Sequence, residues 1–254
     1  MTPLRGFICP EGTECAGRKT DFESCLSHDH DNCLPLPLRN AIADTQGERT
    51  SWFSPSQITM CLRKAKWSLT KDFYEAPMQC YAAMRGNIIH EILEKAAGPG
   101  CETELAVSRP IDGTDIVIHG TIDMYKDSIL YDYKTQKDMG FKMFKNKPYA
   151  KDAHVWQANI YRWMMLPKYE VKDIKVVYMG LGNVAVTGEN IIYDEWGKAS
   201  GYDMDPCPVF TEEKVYDFLK AKADIVDKMD DPPADTSLGW LCIVCPFTEE
   251  CQAT

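Results

Sequence analysis

Apolar and polar positions along this chain change period several times, and each change marks an element. From Gln79 to Ala97, Ala82, Ile89, Ile92, Leu93 and Ala96 form one apolar stripe, which predicts an amphipathic helix over 79–97. Segments 54–69, 152–165 and 211–229 are predicted as further helices. Runs rich in β-branched and aromatic residues predict strands near 102–109, 115–125, 128–134, 173–180 and 184–193, with Gly180 and Gly182 breaking the last pair. This is an α/β order, and it predicts a mixed central sheet flanked by helices. Residues 1–50 show no comparable pattern and are expected to form a Cys-rich appendage. It ends in Leu34-Pro35-Leu36-Pro37-Leu38 and a polar stretch to Thr50 that reads as a linker, which leaves 51–254 as the main domain. A chain of 254 residues can bury one good core and carry such an appendage. No internal repeat or low-complexity tract is visible.

Two of the predicted strands carry chemistry. Val117 to Tyr125 and Ile129 to Lys134 are separated by Lys126-Asp127-Ser128, a polar turn. If Asp127 and Ser128 form a two-residue loop, Asp123 falls directly opposite Asp132, and such neighbours have Cβ atoms about 4.5–5.5 Å apart. Lys134, two residues beyond Asp132, projects from the same face. Two close carboxylates are costly to keep ionised without a cation. Mg²⁺ or Mn²⁺ fits, because hard cations take oxygen ligands. On spacing alone, a solvated hairpin face with a surface salt bridge is an equal alternative. His90 lies beside the apolar stripe of the 79–97 helix, where a lone histidine is more often a satisfied boundary residue than a ligand. Gln157 and Tyr161, four apart in the 152–165 helix, share one face.

The cysteines add a second theme. There are 11 in the chain. No leader pattern is visible, and no run approaches the ~18 apolar residues of a spanning helix, so a cytoplasmic, membrane-free protein is expected. In that compartment clustered cysteines suggest metal rather than disulfides. Cys242, Cys245 and Cys251 are closely spaced, and thiolates suit an iron–sulfur cluster or zinc; spacing does not separate the two. Cys9, Cys15, Cys25 and Cys33, with His28 and His30 nearby, lie in a polar segment that could hardly fold without a metal. Tetrahedral Zn²⁺ is the expectation there, against a disordered arm with free thiols. Cys80, Cys101 and Cys207 read as ordinary thiols.

Taken in order, these residues resemble the PD-(D/E)xK nuclease superfamily in its RecB-like branch. The order is His90 in a helix, Gly120-x-x-Asp123, Asp132-Tyr133-Lys134, then Gln157-x-x-x-Tyr161. The match is nearest to the iron–sulfur members, the CRISPR-associated RecB-like exonucleases and the AddB nuclease domain. Those carry one cysteine before the His helix, here Cys61, and three at the C-terminus. The resemblance runs from about Ser51 to Cys251. Asp132 stands where many relatives have Glu, and the family tolerates either. The resemblance implies a restriction-endonuclease-like core with a [4Fe–4S] staple on Cys61, Cys242, Cys245 and Cys251. It implies that His90, Asp123, Asp132 and the Tyr133 carbonyl bind Mg²⁺ or Mn²⁺. Lys134 would assist the water, and Gln157 and Tyr161 would line the DNA path or brace the site.

The formal net charge of −10 argues mildly against DNA, since phosphate contacts need Lys and Arg. Local charge matters more. Lys142, Lys145, Lys147 and Lys151, interleaved with Phe141, Phe144 and Tyr149, suit a single strand by backbone contact and base stacking. The leading expectation is a metal-dependent exonuclease of single-stranded DNA ends. No Walker loop occurs, so it would process ends made by others in recombination, repair or CRISPR adaptation, in a bacterial or phage setting. Homo-oligomers or partner proteins of those pathways fit the resemblance. An endonuclease, a non-catalytic iron–sulfur scaffold and a redox sensor are the alternatives.

Overall fold

The structure is a computed structural model. It describes residues 4–9, 17–27, 33–45, 53–136, 152–180, 184–188, 191–194, 207–228, 231–235, 242 and 245–252. The chain divides into two compact units.

The first unit comprises Met1–Ser51, Cys61–Ile89 and Met229–Thr254. Its elements are short: β1 (Leu4–Ile8), β2 (Lys19–Asp21), α1 (Phe22–Ser27), α2 (Leu36–Asp44), α4 (Leu62–Thr70), β3 (Phe73–Glu75), the first part of α5 (Pro77–Lys95) and α8 (Thr248–Gln252). The three strands form a sheet in the order β2-β1-β3. Leu4, Phe7, Ile42, Trp67, Phe73, Met84 and Phe247 make one apolar cluster, so segments far apart in the chain share a core. Phe247 stacks edge-on to Trp67 at 5.6 Å and lies 5.2 Å from Phe73. The stretch that reads as a linker contains α2, started by Pro at its first turn, where the fixed φ suits a helix.

The second unit comprises Trp52–Met60 and His90–Lys228. Its sheet has the order β4-β5-β6-β7-β8-β9. These strands are β4 (Glu102–Pro110), β5 (Val117–Lys126), β6 (Ile129–Gln136), β7 (Asp173–Gly180), β8 (Val184–Gly188) and β9 (Ile191–Asp194). All neighbours are antiparallel except β6 and β7, which run parallel and are joined through α6 (Asp152–Met165). Helix α6 packs across β4 to β7, and α7 (Glu212–Lys228) packs on α6. Ile118, Ile122, Leu130, Ile174, Ala158 and Ile160 are buried in this core. Asn159, 1 % exposed, donates to the Val155 and Pro208 carbonyls and accepts from the Phe210 amide, fixing the segment before α7. The mixed α/β sheet flanked by helices is the predicted class, consistent with a restriction-endonuclease-like core.

Two boundaries differ from the sequence reading. The helix predicted over 54–69 is two helices, α3 (Pro55–Ile58) and α4. Ser54 and Gln57 close a capping box that starts α3, and Cys61 then adopts an extended ψ of 117° as N-cap of α4. The strand expected over 184–193 is the β8–β9 hairpin. Among the described residues no helix is long and apolar enough to cross a membrane.

Candidate active site

The site is built on the β5–β6 hairpin. Asp127 and Ser128 have φ of 51° and 63°, the pair of positive angles that a two-residue type I′ loop requires. Lys126 therefore pairs with Ile129, Tyr125 with Leu130 and Met124 with Tyr131. One step further, this register sets Asp123 opposite Asp132. There the ladder changes: the Tyr133 amide donates to Asp123 Oδ2 at 2.6 Å. On the other side, β4 pairs with β5 so that Thr103 faces Met124 and Leu105 faces Ile122, which sets Glu104 opposite Asp123. Glu104 and Asp123 thus lie level on neighbouring strands, with Asp132 on the third.

Each carboxylate has a different setting. Asp132 is 2 % exposed, and Lys134 Nζ donates to its Oδ1 at 2.9 Å. The same ammonium lies 2.8 Å from Oδ2, yet that oxygen is buried with no hydrogen-bond donor of its own. Burial pushes the Asp132 carboxyl up and the Asp123 charge adds to this, while Lys134 pulls it down. Asp123 Oδ1 lies 3.2 Å from Nδ1 of His90, which α5 supplies. That contact raises the His90 pKa, and burial opposes the rise. Partial burial and the Asp123 charge push Glu104 up as well. One ligand atom from each of His90, Glu104 and Asp123 lies within 4.8 Å of the others. Like charges at that distance repel by about 3 kcal/mol at an effective dielectric of 20. A partly exposed His–Asp pair offsets about 1 kcal/mol at most. A divalent cation removes the imbalance, and the His90 imidazole with the Asp123 and Glu104 carboxylates is a donor set that Mn²⁺ and Mg²⁺ accept.

Gly120, three residues before Asp123, is where α6 meets the strand. A Cβ there would lie 2.6 Å from Tyr161 Cε1 and 3.1 Å from Pro55 Cδ. Gln157 is hydrogen-bonded to Tyr161, and both are 8 % exposed. Burial raises the Tyr161 phenol, and the Asp132 charge adds to it. The Tyr133 ring packs edge-on to His90, with centroids 6.4 Å apart.

The family model for the PD-(D/E)XK nuclease superfamily matches residues 100–252. The chain belongs to this superfamily. Members of the superfamily are metal-dependent nucleases that act on DNA, so a divalent ion at the carboxylate site is expected chemistry for the fold. The chain is similar in fold to the solved structure of SSO0001, with TM-score 0.54 and 19% identity over 85% of this chain and 94% of that one. Among curated proteins none matches this sequence.

The remaining predicted residues fall in three groups. Cys61, Cys242, Cys245 and Cys251 all lie in the first unit, and none of the four is in a disulfide. Burial raises the Cys245 thiol; Lys64 lowers it, and neighbouring Cys61 and Cys242 add to the rise. Cys251 Sγ accepts from Arg63 Nη1 at 3.3 Å, and Arg63 also donates to the Pro232 carbonyl at 2.7 Å. Cys245 and Cys251 both pack against the apolar cluster around Phe247. At the N-terminus, Cys25 is buried with Sγ 3.7 Å from Arg39 Nη1, and Cys9 Sγ lies 3.6 Å from Thr20 Oγ1. Among the described residues Cys9, Cys25 and Cys33 are not gathered around one point as a single ion requires. Cys15, His28, His30, Lys142, Lys145, Lys147 and Lys151 lie outside the described residues. Cys80 and Cys207 are buried, and burial pushes the Cys207 thiol up to about 12.

Glu104 is the residue that sequence reasoning missed. Its partner strand joins β4 through residues 111–116. A connection of that length does not fix register, so nothing local shows that Glu104 faces Asp123.

Proposed function

We propose that this chain is an exonuclease that hydrolyses single-stranded DNA from its ends, with an iron–sulfur cluster holding its first unit together. The observation that supports the reading is the buried Asp132–Lys134 pair in the strand beside the Asp123–His90 contact. His90, Asp123, Asp132 and the Tyr133 carbonyl would hold Mg²⁺ or Mn²⁺. When bound, the ion supplies Lewis-acid polarisation of a phosphoryl oxygen and lowers the pKa of a water. Lys134, already anchored on Asp132, holds the attacking water in line with the phosphorus. Its ammonium also faces the charge that grows on the phosphoryl oxygens. Gln157 and Tyr161 brace Gly120 and so the strand that carries Asp123. Lys142, Lys145, Lys147 and Lys151 would track the DNA backbone.

Cys61, Cys242, Cys245 and Cys251 fit a [4Fe–4S] cluster. They are four cysteines of one unit, none in a disulfide, and Cys61 and Cys242 lie near enough to Cys245 to raise its thiol. Cys61, as N-cap of α4, sits where a helix start stabilises a thiolate. Among the described residues Cys9, Cys25 and Cys33 do not meet at one point, so Zn²⁺ at the N-terminus would need ligands such as Cys15, His28 and His30 in place of some of them. Ends for this enzyme would come from recombination, repair or CRISPR adaptation, with partner proteins or further copies of the chain.

The test is digestion of 5′- and 3′-end-labelled single-stranded DNA by protein purified without oxygen, in Mn²⁺, Mg²⁺ or EDTA. Metal-dependent shortening from one end, lost in Lys134→Ala, is the expected result. Internal cuts in circular single strands would make it an endonuclease. No cleavage by intact, brown, cluster-loaded protein would favour a scaffold.

A further inference from the structure

We propose that Glu104 is itself a ligand of the divalent ion, gripping it with His90 and Asp123 from the β4 side of the site. This rests on the reading of the site as a metal-dependent nuclease and adds a residue to it.

Three observations carry the assignment. First, the pairs Thr103↔Met124 and Leu105↔Ile122 bracket Glu104 and Asp123, so the two strands bring these residues level although the ladder skips the pair itself. Second, His90, Glu104 and Asp123 are, among the described residues, the group whose ligand atoms converge within 4.8 Å; Asp132 is not in it. Asp132 is held by Lys134 on the other flank of Asp123, 2 % exposed and with Oδ2 lacking a donor. Third, Glu104 has a φ of 46° in the middle of a strand, a conformation that a non-glycine residue adopts only when its surroundings enforce it. Among the described residues no Lys or Arg pairs with Glu104, whereas Glu102, two positions earlier, accepts from Tyr169 Oη at 3.0 Å. A strained acid beside a second acid and a histidine, with no Lys or Arg pairing it among the described residues, has the setting of a ligand rather than of a surface ion pair.

The chemistry agrees. An imidazole and two carboxylates supply three of the six positions that Mn²⁺ or Mg²⁺ takes, leaving three for Asp132, the Tyr133 carbonyl and one water or phosphate oxygen. Glu104 is also exposed, so it can exchange between ion and water as substrate enters.

The experiment is Mn²⁺ binding to the full-length protein without DNA, read from the electron paramagnetic resonance signal of the free aqua ion. Glu104→Gln, Glu102→Gln and Asp123→Asn are compared with the unaltered protein, and each melting midpoint is measured in EDTA. Glu104→Gln should weaken Mn²⁺ by about tenfold or more, with its EDTA midpoint unchanged or raised, while Glu102→Gln binds normally. Normal Mn²⁺ binding by Glu104→Gln beside loss in Asp123→Asn would overturn the Glu104 assignment alone. Weaker binding together with a lowered EDTA midpoint would also overturn it, because a fold defect would then explain the loss. No site in the unaltered protein, and no effect of Asp123→Asn, would overturn the assignment and the metal reading together.

Discussion

The two units hold themselves together by different means. In the second, β4 to β7 have eight to ten residues each and pair mostly with sequence neighbours under one long helix, α6. In the first, the strands have three to five residues, and Phe247 reaches back across the sequence to Trp67 and Phe73. Strands that short are marginal without packing or a cross-link. A long-stranded sheet can therefore spend part of its stability on a repelling set of carboxylates. A patchwork core gains from a cluster that pins distant segments. If the proposed cluster and ion are both bound, their sites have opposite relations to stability: without its ion the carboxylate site strains its unit, whereas the cluster would support its own.

The strongest way to break this contrast is a pair of variants. Asp123→Asn should cut kcat on single-stranded DNA by roughly a thousandfold or more, about 4 kcal/mol, since it removes a charged ligand from the ion that stabilises the transition state. Its stability in EDTA should stay within about 1 kcal/mol of the unaltered protein, because it also removes like-charge repulsion. Cys245→Ser should do the reverse. Cluster absorbance is lost, and amide exchange in β1, β3 and α4 accelerates by about a hundredfold or more, while β4 to β7 keep their protection. Unchanged exchange in the first unit would remove the staple; a large stability loss in Asp123→Asn would show the carboxylate site to be structural.

What the sequence disclosed follows the same division. Asp123, Asp132 and Lys134 were read together from a two-residue loop at Asp127-Ser128; that loop is observed, and its ladder runs from Lys126↔Ile129 to Met124↔Tyr131, one pair short of Asp123 and Asp132. Helix α6, with Gln157 and Tyr161, was legible from its period, and its observed span is Asp152–Met165. Glu104 was not, because the segment 111–116 between β4 and β5 leaves the register open. The break at Cys61 was hidden because one apolar period runs through α3 and α4, and only the Ser54 capping box and the extended Cys61 backbone reveal two helices. In the first unit the local signals are weak: β1 and α2 are fixed by contacts with Trp67, Phe73 and Phe247, which no window of sequence contains.

A smaller perturbation tests how closely the second unit is packed around its site. In Gly120→Ala the new methyl meets the Tyr161 ring and Pro55. Overpacking of this kind costs about 1–3 kcal/mol. Urea unfolding should show that loss, and kcat should fall with it as the strand carrying Asp123 is pushed aside. A loss below about 0.5 kcal/mol would mean that Tyr161 yields freely and does not brace the site.

The smallest effect concerns pH, and its sign follows from the His90–Asp123 contact. The hydrogen bond to Asp123 raises the His90 pKa in the metal-free protein, against the opposing effect of burial. A group whose folded pKa lies above its unfolded value, about 6.5 for histidine, contributes stability that is full below the unfolded value and fades as pH rises through the folded one. In EDTA, melting midpoints should therefore drift down from about pH 6 to 8 by the equivalent of about 1 kcal/mol or less. With Mn²⁺ present the drift should reverse, because the ion needs neutral imidazole and its binding releases the proton. His90→Asn should flatten both slopes. Slopes of the same sign in EDTA and in Mn²⁺ would mean that His90 does not meet the ion, and the strained side of the contrast between the units would lose its histidine.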